Sequence, residues 1–214
     1  DGIRDVERSR GLGDVYKRQV STGAKQSLIN TILSLVNPGD EVIVPAPYWV
    51  TYVEQVRMAG GVPVIIETSI DSDFKITGEQ LANALTEKSK LMIFSNPCNP
   101  TGSVYTKEEL EDVAKVVAGT ENFYVISDEI YEHIVFNQKN VSFASLPGVY
   151  DKTITVNGVS KAFAMTGWRV GYIGAPKAIA AACGKIQGQY TSGTGSISQR
   201  ATKRAMETDP TELQ

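Results

Sequence analysis

The sequence has 214 residues, 42% of them hydrophobic and 21% charged, with a formal net charge of −3 at pH 7; this is the balance of a globular chain holding one large domain, or a domain and a piece. The acidic balance gives no reason to expect nucleic acid or an anionic membrane surface as partner, and no apolar run approaches the roughly 18 residues of a membrane span. Two cysteines, Cys98 and Cys183, make no disulfide framework, so a reducing cytoplasm is the expected compartment.

Asp1 to Gln19 carries nine charged residues, no apolar periodicity and two glycines in its middle. It reads as a disordered leader, either a translated scar foreign to the protein or a flexible native arm. The folded unit is expected to run over 20–214. Leu28, Ile29, Ile32, Leu35 and Val36 fall at helical spacing, and Ser21 or Thr22 can cap that helix while Gly23 lets the backbone turn closely. Such an N-terminus is a ready anion site, although a simple capped helix is commoner. Asn37-Pro38-Gly39-Asp40 ends the helix. Glu41 to Val44 reads as a strand, Tyr48 to Val56 as a helix and Val62 to Ile66 as a strand; Pro63 argues for an edge position or a strand start. Thr77 caps a helix through Leu85. Leu91 to Phe94 is a continuous apolar strand, as in a parallel sheet covered on both faces. Thr106 caps a helix from Lys107 to Ala118, with Glu108 and Glu109 in its first turn. Tyr124 to Ile126, Thr153 to Val156 and Val170 to Ile173 are further strands, and Pro176 opens a helix to about Gln189. The alternation of strands and helices predicts an α/β three-layer sandwich with a mostly parallel sheet.

In such sheets ligands gather beyond the carboxyl ends of the strands, and polar residues of interest stand there. The loop Ser95-Asn96-Pro97-Cys98-Asn99-Pro100-Thr101-Gly102 can present Asn99 as a fixed donor, or is a plain tight turn. Asp128, directly after a buried strand, is a helix cap or a carboxylate aimed at a cationic ligand. Lys161 lies among small and apolar residues. Burial disfavours its charged form, and a neutral amine attacks carbonyls; read alone, the stretch is more often a surface lysine beside a buried strand. Arg169 begins the next strand. Together these groups meet a specific set of needs: an arginine and a helix N-terminus for a phosphate, an aspartate for a protonated ring nitrogen, a lysine for an aldehyde and Trp49 to stack on an aromatic ring. Those needs describe pyridoxal phosphate.

Five motifs carry a resemblance. They are Ser-Thr-Gly-Ala-Lys-Gln at 21–26, Pro-Tyr-Trp at 47–49, Asn-Pro-Cys-Asn-Pro-Thr-Gly at 96–102, Ser-Asp-Glu-Ile-Tyr at 127–131, and Gly-Val-Ser-Lys through Gly-Trp-Arg-Val-Gly at 158–171. From about Val20 onward the chain resembles the class I aminotransferases of pyridoxal-phosphate fold-type I, most closely the bacterial aspartate aminotransferase subgroup. The resemblance implies that 20–214 is a partial cofactor-binding large domain, without the N-terminal arm and the small domain. It implies Lys161 as the Schiff-base lysine and later the general base, and Asp128 as partner of the pyridine nitrogen. Tyr131 and Asn99 would bond the ring 3-oxygen, Asn99 also the substrate carboxylate, and Trp49 would stack on the ring. Arg169 and the N–H groups of Gly23, Ala24 and Lys25 would hold the phosphate, and Lys25 would also read the distal carboxylate of a dicarboxylic substrate.

The implied activity is ping-pong transamination between an amino acid, aspartate first, and a 2-oxo acid such as 2-oxoglutarate, in a cytoplasmic homodimer with no metal. The chain departs from the pattern at Gly158, where many relatives carry a serine whose hydroxyl meets the phosphate. The arginine that grips the α-carboxylate, and an aromatic residue given across the dimer, are expected outside this stretch. His133 reads as structural. Three other readings stay open: a lyase of the same fold such as a carbon–sulfur lyase, a transcription regulator of the same fold, for which Asp1 to Gln19 is too short and too mixed in charge to be the DNA-binding part, and a fragment with no activity of its own.

Overall fold

The computed structural model describes residues 16–136 and 139–208. Strands β1 (Tyr16–Ser21), β2 (Glu41–Pro45), β3 (Val62–Ile66), β4 (Ser89–Ser95), β5 (Tyr124–Asp128), β6 (Thr153–Gly158) and β7 (Gly171–Pro176) form one sheet in the order β1-β7-β6-β5-β4-β2-β3. The block from β3 to β6 is parallel, whereas β7 runs antiparallel to both β6 and β1. The described helices are α1 (Ala24–Leu35), α2 (Thr51–Met58), α3 (Gly78–Ala84), α4 (Lys107–Gly119), α5 (Lys177–Tyr190) and α6 (Ser196–Met206). The expected α/β sandwich with a mostly parallel sheet is what the chain forms.

The pleat explains the three layers. Successive strand side chains face opposite ways, so Val42, Val44, Leu91, Ile93 and Ile126 pack on one face against Leu28 and Ile32 of α1, Val53 and Val56 of α2 and Ile179 of α5. The alternate residues Ile43, Met92, Phe94 and Val125 pack on the other face against Leu81 of α3 and Leu110, Val113 and Val117 of α4. Most of these are fully buried, each contributing roughly 1.5–3 kcal/mol. This two-sided burial is why the central strands read as unbroken apolar runs. Thr77 and Thr106 cap α3 and α4 through reciprocal bonds with Gln80 and Glu109, and β3 with its Pro63 lies at the sheet edge.

Several expectations needed correction. Residues 1–15 of the expected leader lie outside the described residues, but Tyr16 to Gln19 belongs to β1, with Tyr16 opposite Pro176 and Ser21 opposite Gly171. An edge strand pairs on one flank only and carries charge readily, so its charge density concealed it. Gln187 of α5 seals the arrangement: its Oε1 accepts from Gln19 (2.6 Å) and Asn30 (3.1 Å), and its Nε2 donates to the Val20 carbonyl (2.8 Å). Helix α1 starts at Ala24 with Gly23 as N-cap and no side-chain cap; the Ser21 hydroxyl instead donates to the Gly23 carbonyl (3.0 Å). Helix α2 starts at Thr51, so Tyr48 to Val50 is the lead-in after Pro47, and the Tyr52 N–H donates to the Trp49 carbonyl at 3.0 Å. Helix α6 went unseen because its inward face is sparse, with Thr202 and Met206 its buried residues.

Candidate active site

The carboxyl ends of β4, β5 and β6 open on the same side of the sheet as the N-terminus of α1, and a cavity of ≈ 240 Å³ lies among them. Asp128 ends β5 and is 3% exposed. Its Oδ2 accepts from the Tyr52 hydroxyl (2.8 Å) and its Oδ1 from the Ile130 N–H (3.3 Å). Burial pushes the Asp128 carboxyl up to about 6, and these two hydrogen bonds, which favour the anion, hold it from going higher. The same contact, with burial first, pushes the Tyr52 phenol well above its ordinary range, so Tyr52 is the donor and Asp128 the acceptor at neutral pH.

Lys161 reaches the cavity from the loop after β6 and is exposed, in keeping with the commoner of the two readings of that stretch, a surface lysine beside a buried strand. Its apolar neighbours turn away: Val159 is fully buried with Val170, Tyr172 and Met206. The Lys161 Nζ stands 5.5 Å from the centroid of the Tyr131 ring, close enough for a cation–π attraction. Also in the lining, the Lys25 Nζ stands 4.9 Å over the Trp49 ring, which meets Tyr52 edge-on at 5.7 Å between centroids. Asn99 lines the cavity from the β4 loop, where its N–H donates to the Ser95 hydroxyl (3.1 Å).

Arg169 does not begin a strand. It follows the short 3₁₀ turn Thr166–Trp168, has left-handed backbone (φ 52°), and its Nη1 donates to the Thr166 carbonyl at 2.9 Å. Its guanidinium lies on Gly23: a Cβ there would collide with Arg169 Nη2. Gly23 is at φ 85°, a conformation glycine adopts without strain. Gly171 has a second reason to be glycine, because a Cβ on it would run into the Gly23 and Ala24 backbone. The start of β7 therefore passes against the start of α1. Ala24 and Lys25, as the first helical residues, have N–H groups without intrahelical acceptors, beside a fixed cation, which is the composition of an anion site.

Of the residues singled out from sequence, Ala24, Lys25, Trp49, Asn99, Asp128, Tyr131, Lys161 and Arg169 line this one cavity, and Gly23 lies under Arg169. Tyr52, Ser160 and Thr166 also line it and were missed. Tyr52 follows Trp49 by three positions, across the turn closed by the bond from its N–H to the Trp49 carbonyl, and that nearness to Trp49 was a usable signal. At Gly158 a Cβ would come within 2.8 Å of the Val170 carbonyl oxygen, so a serine there would need the strand to shift; Ser160 of the same loop brings a hydroxyl to the cavity instead. His133 lies outside this lining, its Nε2 3.2 Å from Glu132. Among the described residues no cluster of His, Cys, Asp or Glu is placed to hold a metal ion, and no helix is long and apolar enough to cross a membrane.

Residues 14–214 match the family model for aminotransferase class I and II. A bifunctional aspartate aminotransferase and glutamate/aspartate-prephenate aminotransferase of Petunia hybrida is 57% identical over 188 residues, covering 87% of this chain and 39% of the relative. An aspartate/prephenate aminotransferase of Cereibacter sphaeroides is 46% identical, covering 96% and 54%. The crystal structure of the aspartate aminotransferase from Rhizobium meliloti superposes with a TM-score of 0.93 at 39% identity, over 99% of this chain and 54% of that one. The chain thus spans about half the length, or less, of the relatives it matches.

Proposed function

The chain belongs to the class I and II aminotransferases, and on that premise we propose that it is the cofactor-binding large domain of a pyridoxal-phosphate-dependent aminotransferase. The protein would move an amino group between an amino acid, aspartate first, and a 2-oxo acid such as 2-oxoglutarate, through two half-reactions at one site. One observation carries this reading: a buried carboxylate, an accessible primary amine and a guanidinium over a helix N-terminus meet at a single cavity.

The donor set suits the cofactor. Asp128 is the buried anion that a protonated ring nitrogen requires, and Tyr52 aims its Oδ2. Arg169 and the N–H groups of Ala24 and Lys25 suit a phosphate, whereas the Gly23 N–H, expected to join them, donates to the Ser21 carbonyl at 2.9 Å; Gly23 and Gly171 leave bare backbone where any Cβ would intrude. Ser160 stands where it can supply the hydroxyl that Gly158 lacks. When bound, pyridoxal phosphate supplies the electron sink that makes the substrate α-carbon acidic. Lys161 would hold the group through its aldehyde and, with its Nζ free, would take up and return the substrate α-proton as general base. Asn99 and Tyr131 would bond the 3-oxygen, Asn99 also the substrate carboxylate, and Trp49 would cover the ring face. Lys25 would meet the distal carboxylate of a dicarboxylic substrate; the aspartate named for the relatives supports this choice.

A cytoplasmic homodimer belongs to the same reading, and the two free cysteines suit a reducing compartment. Borohydride reduction of the full-length protein loaded with pyridoxal phosphate, followed by peptide mapping, tests the assignment. A pyridoxyl label on Lys161 is expected, and a label on any other lysine overturns it. Stoichiometric exchange of amino acid for oxo acid without ammonia release separates transamination from lyase chemistry.

A further inference from the structure

The turn that carries Tyr131 and the loop that carries Lys161 leave adjacent parallel strands, β5 and β6. The backbone ladder between them runs out at the Glu129 N–H, which donates to the Val156 carbonyl at 2.9 Å. One side-chain link continues past that point. The Asn157 Nδ2 donates to Glu132 Oε1 at 2.8 Å, and Asn157 Oδ1 accepts from the Gly158 N–H at 2.7 Å. Asn157 is 7% exposed, so both ends of its amide are engaged in a nearly dry setting. Glu132 is itself fixed, since its N–H donates to the Glu129 carbonyl (2.9 Å) and His133 Nε2 lies 3.2 Å from the same Oε1.

Neither Glu132 nor Asn157 lines the cavity. Glu132 follows Tyr131 directly, however, and Asn157 precedes Lys161 by four residues. Their hydrogen bond joins the bases of the two segments whose tips face each other, Lys161 Nζ and the Tyr131 ring. We propose that Glu132 is a positioning residue: through Asn157 it sets the separation of the Tyr131 turn from the Lys161 loop, and so aims the Lys161 amine. A hydrogen bond to an ionised acceptor is shorter and stronger than a neutral one. Removing the acceptor leaves a buried amide donor unpaired, and the Gly158 N–H then loses the rigid partner that orients the start of the Lys161 loop.

The test rests on the pyridoxal-phosphate reading. In the full-length protein, the rate at which the Lys161 amine takes up pyridoxal phosphate is followed by absorbance across pH, together with equilibrium binding from the quenching of tryptophan fluorescence. Glu132→Ala and Asn157→Ala are each expected to slow uptake about tenfold or more, the size of one lost charge-assisted hydrogen bond, and to shift its pH profile. The double variant is expected to be no slower than either single one, because both remove the same link. Glu132→Gln keeps an oxygen where Asn157 donates but lacks the charge, and is expected to be faster than Glu132→Ala, within about fivefold of the wild-type rate. A wild-type rate in Glu132→Ala, or multiplying losses in the double variant, overturns the proposal. Where Glu132→Ala does not fold, a wild-type rate in Asn157→Ala does the same. If the wild-type protein takes no pyridoxal phosphate on Lys161, the functional reading itself fails, a result distinct from a wild-type protein that binds and variants that bind alike.

Discussion

Replacing Tyr52 by Phe removes one hydroxyl and leaves the ring in its packing against Trp49. The lost group donates to Asp128 Oδ2 at 2.8 Å. In the intact protein burial raises the Asp128 carboxyl to about 6, with Tyr52 the larger of the two hydrogen bonds opposing that rise. A hydrogen bond to a charged group contributes about 1.5–3 kcal/mol, and one pKa unit corresponds to about 1.4 kcal/mol. Tyr52→Phe should therefore move the Asp128 titration up by about 1–2 units, to roughly 7–8. At pH 7 the wild-type carboxylate is mostly ionised, whereas the variant is half or more protonated. The carboxylic-acid infrared band of the cofactor-free full-length protein, identified by its absence in Asp128→Asn, reads this directly. Affinity for pyridoxal phosphate should fall in the variant at pH 7 and recover toward pH 9. An unchanged or lowered midpoint in Tyr52→Phe refutes the account, because it would mean that the hydroxyl does not stabilise the anion.

Three other outcomes are expected. Glu129 is buried, and burial, with the Glu132 charge second, raises its carboxyl from 4.5 to about 8, against bonds from Ser142, Ser127 and the Phe143 N–H. With folded values above unfolded ones for Asp128 and Glu129, their contribution is fully present below about pH 4 and is lost as pH rises through about 6 and about 8; the Glu129 share is on the order of 4 kcal/mol. Urea midpoints of the cofactor-free protein should thus be lower at pH 8.5 than at pH 5, less so in Glu129→Gln, and a wild-type slope in that variant would count against the assignment. Gly171→Ala places a methyl group into the Gly23 and Ala24 backbone, an overpacking of about 1–3 kcal/mol; thermal melting reports it, and an unshifted midpoint contradicts the close approach. Lys25→Ala should weaken dicarboxylic substrates about tenfold more than alanine, roughly 1.4 kcal/mol of differential binding; equal losses in kcat/KM reject Lys25 as the reader of the distal carboxylate.

Most of the candidate site was legible because its residues announce themselves locally. Asp128, Asn99 and Lys161 each follow a strand whose apolar run is unmistakable, and each lies in a motif with its own turn chemistry. What the motifs did not convey was how the groups are held. Tyr52 and Asp128 are 76 positions apart, and Glu132 and Asn157 are 25; no local pattern marks either pair. A surface and a buried Lys161 both stayed open for the same reason, since apolar neighbours in sequence say nothing of which way each side chain turns.

The sequence by itself determined the helices begun by Thr77 and Thr106 and the buried strands around Leu91 to Phe94 and Tyr124 to Ile126, because caps and periodicity act within a few residues; Pro63 left an edge position and a strand start both open, and the sheet order decided for the edge. Only the tertiary structure decided that Tyr16 to Ser21 is a strand, since an edge strand exists through its ladder to Gly171–Pro176, some 150 residues away. It likewise decided that Asp128 titrates near 6, because desolvation depends on what packs around a carboxylate and not on the residues beside it in the chain.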